Sequence, residues 1–161
     1  VASRGLGDVY KRQQKGISHA LSCADEYIDT GDTLLFILGD NFFQNDPTKS
    51  INMDEVVKQN GAYIFSYKVN NPEEFGVAEL DIQNNVVSIE EKPENPKSNN
   101  AVVGVYIYDD TVMEKIKTLK PSARGEYEVT DLNNLYNITK YKNKFNLLEG
   151  CSNVIKWYLE N

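Results

Sequence analysis

Apolar residues change period along this chain, and each change marks an element. From Gly16, ISHALSCADEYI places Ile17, Leu21, Ala24 and Ile28 at helical spacing, and GDT at 31–33 supplies a turn; the spacing predicts a helix of about three turns. TLLFILGDN follows, with a continuous apolar run from Leu34 to Leu38 closed by Gly39-Asp40-Asn41. That is the pattern of a strand buried on both faces inside a parallel sheet. A helix expected over 51–60 leads to AYIFSYKV, a strand rich in aromatic and β-branched residues. A helix between two strands predicts a βαβ unit.

The period then becomes two. FGVAELD and VVSIEEKP flank Asn84-Asn85, the pattern of a hairpin. PENPKSNN reads as a loop, AVVGVYIYD as an apolar strand, and 110–119 as a helix with Val112, Ile116 and Leu119 on one face. KPSARGEYE is rich in turn residues. VTDLNNLYNI sets Val129, Leu132, Leu135 and Tyr136 at helical spacing, and 144–148 predicts a last strand. Residues 1–13, VASRGLGDVYKRQ, keep neither period and read as a leader foreign to the fold, with GLGDVYKRQ resembling translated adapter sequence. The expectation is one α/β domain with a mostly parallel sheet and a hairpin insertion.

Bulk properties narrow the function. A chain of 161 residues, 40% hydrophobic and 25% charged, can bury one sizeable core. A net charge of -7 argues against affinity gained by neutralising nucleic-acid phosphates, while a free nucleotide needs only a few placed cations. The sequence has no apolar run long enough for a membrane helix and no secretory h-region, so the expected compartment is the cytoplasm. Cys23 and Cys151 lie far apart and His19 is the only histidine, which leaves no zinc-ligand set and points to reduced cysteines.

Polar residues at strand ends carry the candidate chemistry, because ligands of open α/β sheets bind there. Asp40 is placed to hold Mg²⁺ beside a nucleotide's phosphates; the alternative is a turn aspartate bonded to its own backbone. In Glu90-Glu91-Lys92-Pro93 the two acids point to opposite sides of a strand, so one can accept bonds from sugar hydroxyls while Lys92 meets a phosphate. A solvated strand end would read the same way. Arg124, in a loop with Gly125, suits a bidentate phosphate contact or is simply a surface arginine. Gly76 and Gly104 interrupt strands, as a ligand approach or a bulge would.

Together LGDN, FGVAELD, VVSIEEKPENPKSN, AVVGVYIYD and PSARGEYEVTD, preceded by KGISHAL, stand in an order and spacing that resembles the bacterial glucose-1-phosphate thymidylyltransferases. The resemblance covers residues 14–150. It implies a Rossmann-like nucleotidyltransferase sheet and transfer of a thymidylyl group from dTTP to glucose 1-phosphate with Mg²⁺, feeding activated deoxysugars of the dTDP-rhamnose type. It implies Asp40 as a metal ligand and Gly16 near the base. Gly76, Glu91, Lys92 and Val103 would surround the glucose 1-phosphate, Tyr106 would line the sugar pocket, and Lys92 and Arg124 would serve the transferring phosphates. The intact relatives tend to be tetramers. Two departures stand against it. The family's amino-terminal strand and Gly-rich loop have no counterpart, and 151–161, CSNVIKWYLEN, replaces a Trp-x-Asp-x-Gly segment that carries a second Mg²⁺ ligand. The expectation is therefore a partial domain over 14–150, inactive alone. The alternatives are a sugar-phosphate or nucleotide-binding module without catalysis, or a parent that uses UTP or CTP.

Overall fold

The computed structural model describes residues 15–41, 52–58, 61–82 and 85–138. In chain order these form α1 (Ile17–Ser22), β1 (Thr33–Ile37), α2 (Met53–Lys58), β2 (Ala62–Lys68), β3 (Gly76–Leu80), β4 (Val86–Glu91), β5 (Asn100–Asp109), α3 (Val112–Thr118) and α4 (Val129–Ile138). The strand expected over 144–148 lies outside the described residues.

The sheet is built around β5. One of its edges pairs with β2 from Asn100 to Tyr108. The other pairs with β1 over Val105–Asp109 and meets the β3–β4 hairpin where Val77 faces Ala101. Ala101, Val105, Ile107 and the rings of Tyr106 and Tyr108 are all buried, so β5 is covered on both faces. Tyr106 and Tyr108 join α1, α3 and α4 through Leu21, Val112, Met113, Ile116, Leu132 and Tyr136. Val105 and Ile107 face the other way, against Phe65 and Val56 of α2. Full burial of an aliphatic or aromatic side chain is worth about 1.5–3 kcal/mol, so this strand and its two helix layers carry much of the folding free energy.

Three expectations change. The sheet is not mostly parallel: every pairing among the described residues is antiparallel. β1 and β2 do run in the same sense, as the βαβ reading requires, but β5 lies between them and opposes both. An apolar run buried on both faces looks the same whichever way its neighbours run. Nor is β1 covered on both faces. Leu34 and Phe36 pack on the α4-side core, whereas Leu35 and Ile37 remain 48% and 44% exposed, because α2 lies over the centre of the sheet. Finally, α1 ends at Cys23, where the amides of Cys23 and Ala24 turn to Ala20 and Leu21 carbonyls and a short 3₁₀ turn follows over Asp25–Tyr27. Acidic residues oppose the negative end of a helix, which favours stopping before Asp25.

Among the described residues β4 is the last strand of its edge, and α4 lies against it. Asn134 accepts from the Ile89 amide at 3.0 Å and donates to the Ile89 carbonyl at 2.8 Å. One carboxamide thus takes the place of a peptide group and satisfies both backbone atoms of the edge.

Candidate active site

Four segments meet on the α4 side of the sheet: the turn after β1, the middle of β5, the β3–β4 hairpin end, and the loop before α4. The turn after β1 is set by Asn41. Its amide donates to the Leu38 carbonyl at 3.1 Å. Its side chain donates to Asp40 Oδ1 at 2.8 Å and accepts from the Gly104 amide at 3.2 Å. Asp40 is exposed, and its carboxylate accepts from the Asn41 side chain. A side chain at Gly104 would collide with Asn41 Nδ2 and approach Leu38 to 2.8 Å. Gly104 also lies where β5 bulges, since Ile64 faces Tyr106 but Ser66 faces Val102. The bulge and the neighbouring Asn41 therefore account for this glycine.

Beside it stands Tyr106, its ring between Phe36 at 6.2 Å and Tyr108 at 5.9 Å. Burial, and then the negative charges of Glu91 and Asp40, push its ionisation well above the ordinary tyrosine range. The hydroxyl therefore stays protonated at neutral pH and can donate.

Glu91 ends β4 on the face that carries buried Ile89, while Glu90 points to solvent. Its Oε2 accepts from Thr130 Oγ1 at 2.7 Å. Gly76 is its partner across the hairpin. A methyl at Gly76 would come within 3.3 Å of Glu91 Oε2 and 3.4 Å of Thr130 Oγ1, so the absent side chain is what admits the carboxylate. Lys92 then takes φ 46°, the only non-glycine positive φ among the described residues. Its amide donates to the Phe75 carbonyl at 2.9 Å. The left-handed conformation costs an L-residue about 1–2 kcal/mol. It bends the chain sharply out of β4 and leaves the lysine exposed, without an ion pair among the described residues.

Arg124 reaches this group from the loop before α4. Its Nη2 lies 2.9 Å from Glu128 Oε2 and 3.9 Å from both Glu91 Oε1 and Glu126 Oε2. Gly16 supports that loop from below: with φ 93° its backbone comes so close to Tyr127 that a Cβ would stand 2.7 Å from the Tyr127 carbonyl oxygen. The Tyr127 amide donates to the Lys15 carbonyl at 2.8 Å, and Ser18 Oγ donates to the Glu128 carbonyl at 3.1 Å.

Of the residues singled out from sequence, Gly76, Glu91 and Arg124 come together directly, and Tyr106 and Asp40 share an electrostatic neighbourhood with Glu91. Lys92 adjoins them along the chain. Val103 does not converge: its side chain packs with Phe65 and Val105 on the α2 side. Thr130, Glu128 and Asn41 complete the site without having been singled out. Their signal was present in the EVTD and GDN strings, but Thr130 meets Glu91 of β4 and Asn41 meets Gly104 of β5, while Glu128 meets Arg124 in its own loop. The assembled groups, the Arg124 guanidinium, a hydroxyl donor and acceptor carboxylates, with Lys92 next along the chain, suit a polyhydroxylated anion. A depression at the opposite end of β1, lined by Asp32, Asp109 and Asp110, would repel one.

Comparison with known proteins identifies the family. The nucleotidyl transferase family profile matches residues 6–155. A glucose-1-phosphate thymidylyltransferase of Neisseria gonorrhoeae is 46% identical over 121 residues, 75% of this chain and 42% of the relative. One from Mycolicibacterium smegmatis is 40% identical over 78% of this chain and 43% of the relative. The chain thus spans less than half the length of these relatives. Among solved structures, one described as a glucose-1-phosphate thymidylyltransferase from Bacillus anthracis, in complex with sucrose, superposes with TM-score 0.74 at 38% identity, covering 87% of this chain and 55% of that one. A UDP-glucose pyrophosphorylase complexed with UDP-glucose shares the fold at TM-score 0.64 and 23% identity, covering 81% of this chain and 52% of that one. With most of its length matched to one profile and its polar residues gathered at the strand ends, the chain belongs to the nucleotidyl transferase family.

Proposed function

We propose that this chain carries the sugar-phosphate half of a glucose-1-phosphate thymidylyltransferase. The observation that carries the reading is the junction of Glu91, Gly76 and Arg124, an acceptor carboxylate beside a guanidinium, with Lys92 next along the chain. In the reaction a phosphate oxygen of glucose 1-phosphate attacks the α-phosphorus of dTTP. The new O–P bond forms as the bond to pyrophosphate breaks, giving dTDP-glucose and pyrophosphate. Such a transfer needs alignment and charge neutralisation rather than a covalent intermediate. Arg124 and Lys92 neutralise the sugar phosphate, Glu91 accepts from sugar hydroxyls, and protonated Tyr106 donates at the pocket floor. Gly76 keeps the space open. Val103 would contribute through its backbone, and Gly16 holds the Arg124 loop while facing the nucleotide side.

Asp40 fits a Mg²⁺ ion as a single exposed carboxylate, since Mg²⁺ keeps waters and takes further oxygens from substrate phosphates. No group of three or more acidic, His or Cys side chains that could hold a metal ion occurs among the described residues. The ion when bound would neutralise triphosphate charge. The intact protein is expected to be a cytoplasmic homo-oligomer serving deoxysugar synthesis.

The test is a chimera in which this chain's matched segment replaces its counterpart in the Neisseria gonorrhoeae relative. Pyrophosphate release with dTTP, glucose 1-phosphate and Mg²⁺, lost on R124A, is the expected result. A folded chimera that binds glucose 1-phosphate without turnover would favour a binding module, and turnover faster with UTP would reassign the base.

A further inference from the structure

We infer that Glu128 is a positioning residue that holds Arg124 ready for the phosphate of the sugar phosphate, an inference that rests on the function proposed above. Glu128 immediately precedes α4, and its side chain is only 13% exposed whereas that of Arg124 is 50% exposed. The carboxylate grips the guanidinium at two points, from Nε to Oε1 at 3.3 Å and from Nη2 to Oε2 at 2.9 Å. Ser122 Oγ donates to the same Oε1 at 2.7 Å.

The surrounding backbone is arranged to keep this grip. Ser122 Oγ accepts the Arg124 amide at 3.2 Å. The Ser122 amide donates to the Glu126 carbonyl and the Gly125 amide to the Ser122 carbonyl, both at 2.8 Å. Ser18 and the Leu132 amide donate to the Glu128 carbonyl at 3.1 and 3.2 Å. An exposed ion pair between two free side chains has no such scaffold and contributes little. A guanidinium has five N–H groups in a rigid fork. Two are used here, and Glu91 and Glu126 at 3.9 Å are too far to accept the others. Three N–H groups thus remain for a phosphate, on a side chain whose rotamer freedom is already spent.

The sequence holds only three arginines, Arg4, Arg12 and Arg124, so the Arg124 Nε–H signal is assignable by NMR from its loss in R124K. In the wild type it should exchange slowly with water, and in E128Q rapidly. Titration with glucose 1-phosphate should show R124A and E128Q each weakened about tenfold, a loss in the range of one charge-assisted contact. The double variant R124A/E128Q should bind no more weakly than R124A. S122A, which leaves Glu128 in place, should weaken binding about twofold to threefold and keeps the test open if E128Q does not fold. Wild-type affinity in E128Q with weak binding in R124A, or additive losses in the double variant, would overturn the role of Glu128 and leave the sugar-phosphate reading standing. Unchanged binding in R124A, or none in the wild type, would overturn both, while the Nε–H exchange still reports whether the grip exists.

Discussion

Glu91 Oε2 accepts the Thr130 hydroxyl at 2.7 Å across a space that only a glycine at position 76 leaves open. Gly76 has no positive φ, so alanine is permitted by its backbone, and its effect should fall on the carboxylate. G76A is expected to leave stability within about 1 kcal/mol. It should weaken glucose 1-phosphate binding about tenfold by displacing Glu91 a few tenths of an ångström. Urea unfolding and a binding titration on the same protein separate the two effects.

Asn134 and the β4 edge give the opposite pattern. N134A removes both bonds to Ile89 and leaves a backbone amide and carbonyl without partners, at a cost of about 2–3 kcal/mol in urea unfolding. N134D keeps the acceptor and loses the donor, so it should fall between wild type and N134A. Equal stability for all three would show that water replaces the carboxamide at no cost.

Gly16 should be the least tolerant glycine. Its φ of 93° and ψ of 171° lie in a region almost restricted to glycine, and any Cβ meets the Tyr127 backbone. G16A is expected to cost about 3 kcal/mol or more. It should also free the Arg124 loop, which amide exchange at Tyr127 and Glu128 would report.

Alkaline pH should unfold the protein early. Burial, as the leading cause, raises Tyr106, Tyr108 and Tyr136 above the ordinary phenol range. A phenol that stays protonated in the folded chain and ionises in the unfolded one stabilises the fold fully below about pH 10. That contribution is lost as pH rises from there through the folded-state ionisations, at up to about 1.4 kcal/mol per pH unit for each tyrosine. Y108F should blunt the loss above pH 10 in urea titrations, whereas Y27F, at an exposed site, should not.

How much was legible in advance depends on whether a signal was local. β5 and α4 could be read because Tyr106, Tyr108, Leu132 and Tyr136 are apolar at the period their backbone imposes, and all four enter one core. The nearness of Glu91, Gly76 and Arg124 was legible only through the resemblance of several motifs taken together. What could not be read was set by neighbours distant in sequence. The sense of the sheet depends on β5 entering between β1 and β2. Gly104 is crowded by the side chain of Asn41, 63 residues away in sequence. Thr130 and Asn134 matter because α4 lies along β4, which no spacing within VTDLNNLYNI reveals.

The central claim is that this site holds a sugar 1-phosphate. Titration of glucose 1-phosphate into the intact chain, followed by NMR and repeated with R124A, tests it most directly. The prediction is saturable binding that perturbs Gly76, Glu91 and the Arg124 side chain, weakened about tenfold in R124A and absent for glucose without the phosphate. Binding indifferent to R124A, or perturbations confined to the Asp32–Asp109 end of the sheet, would contradict it.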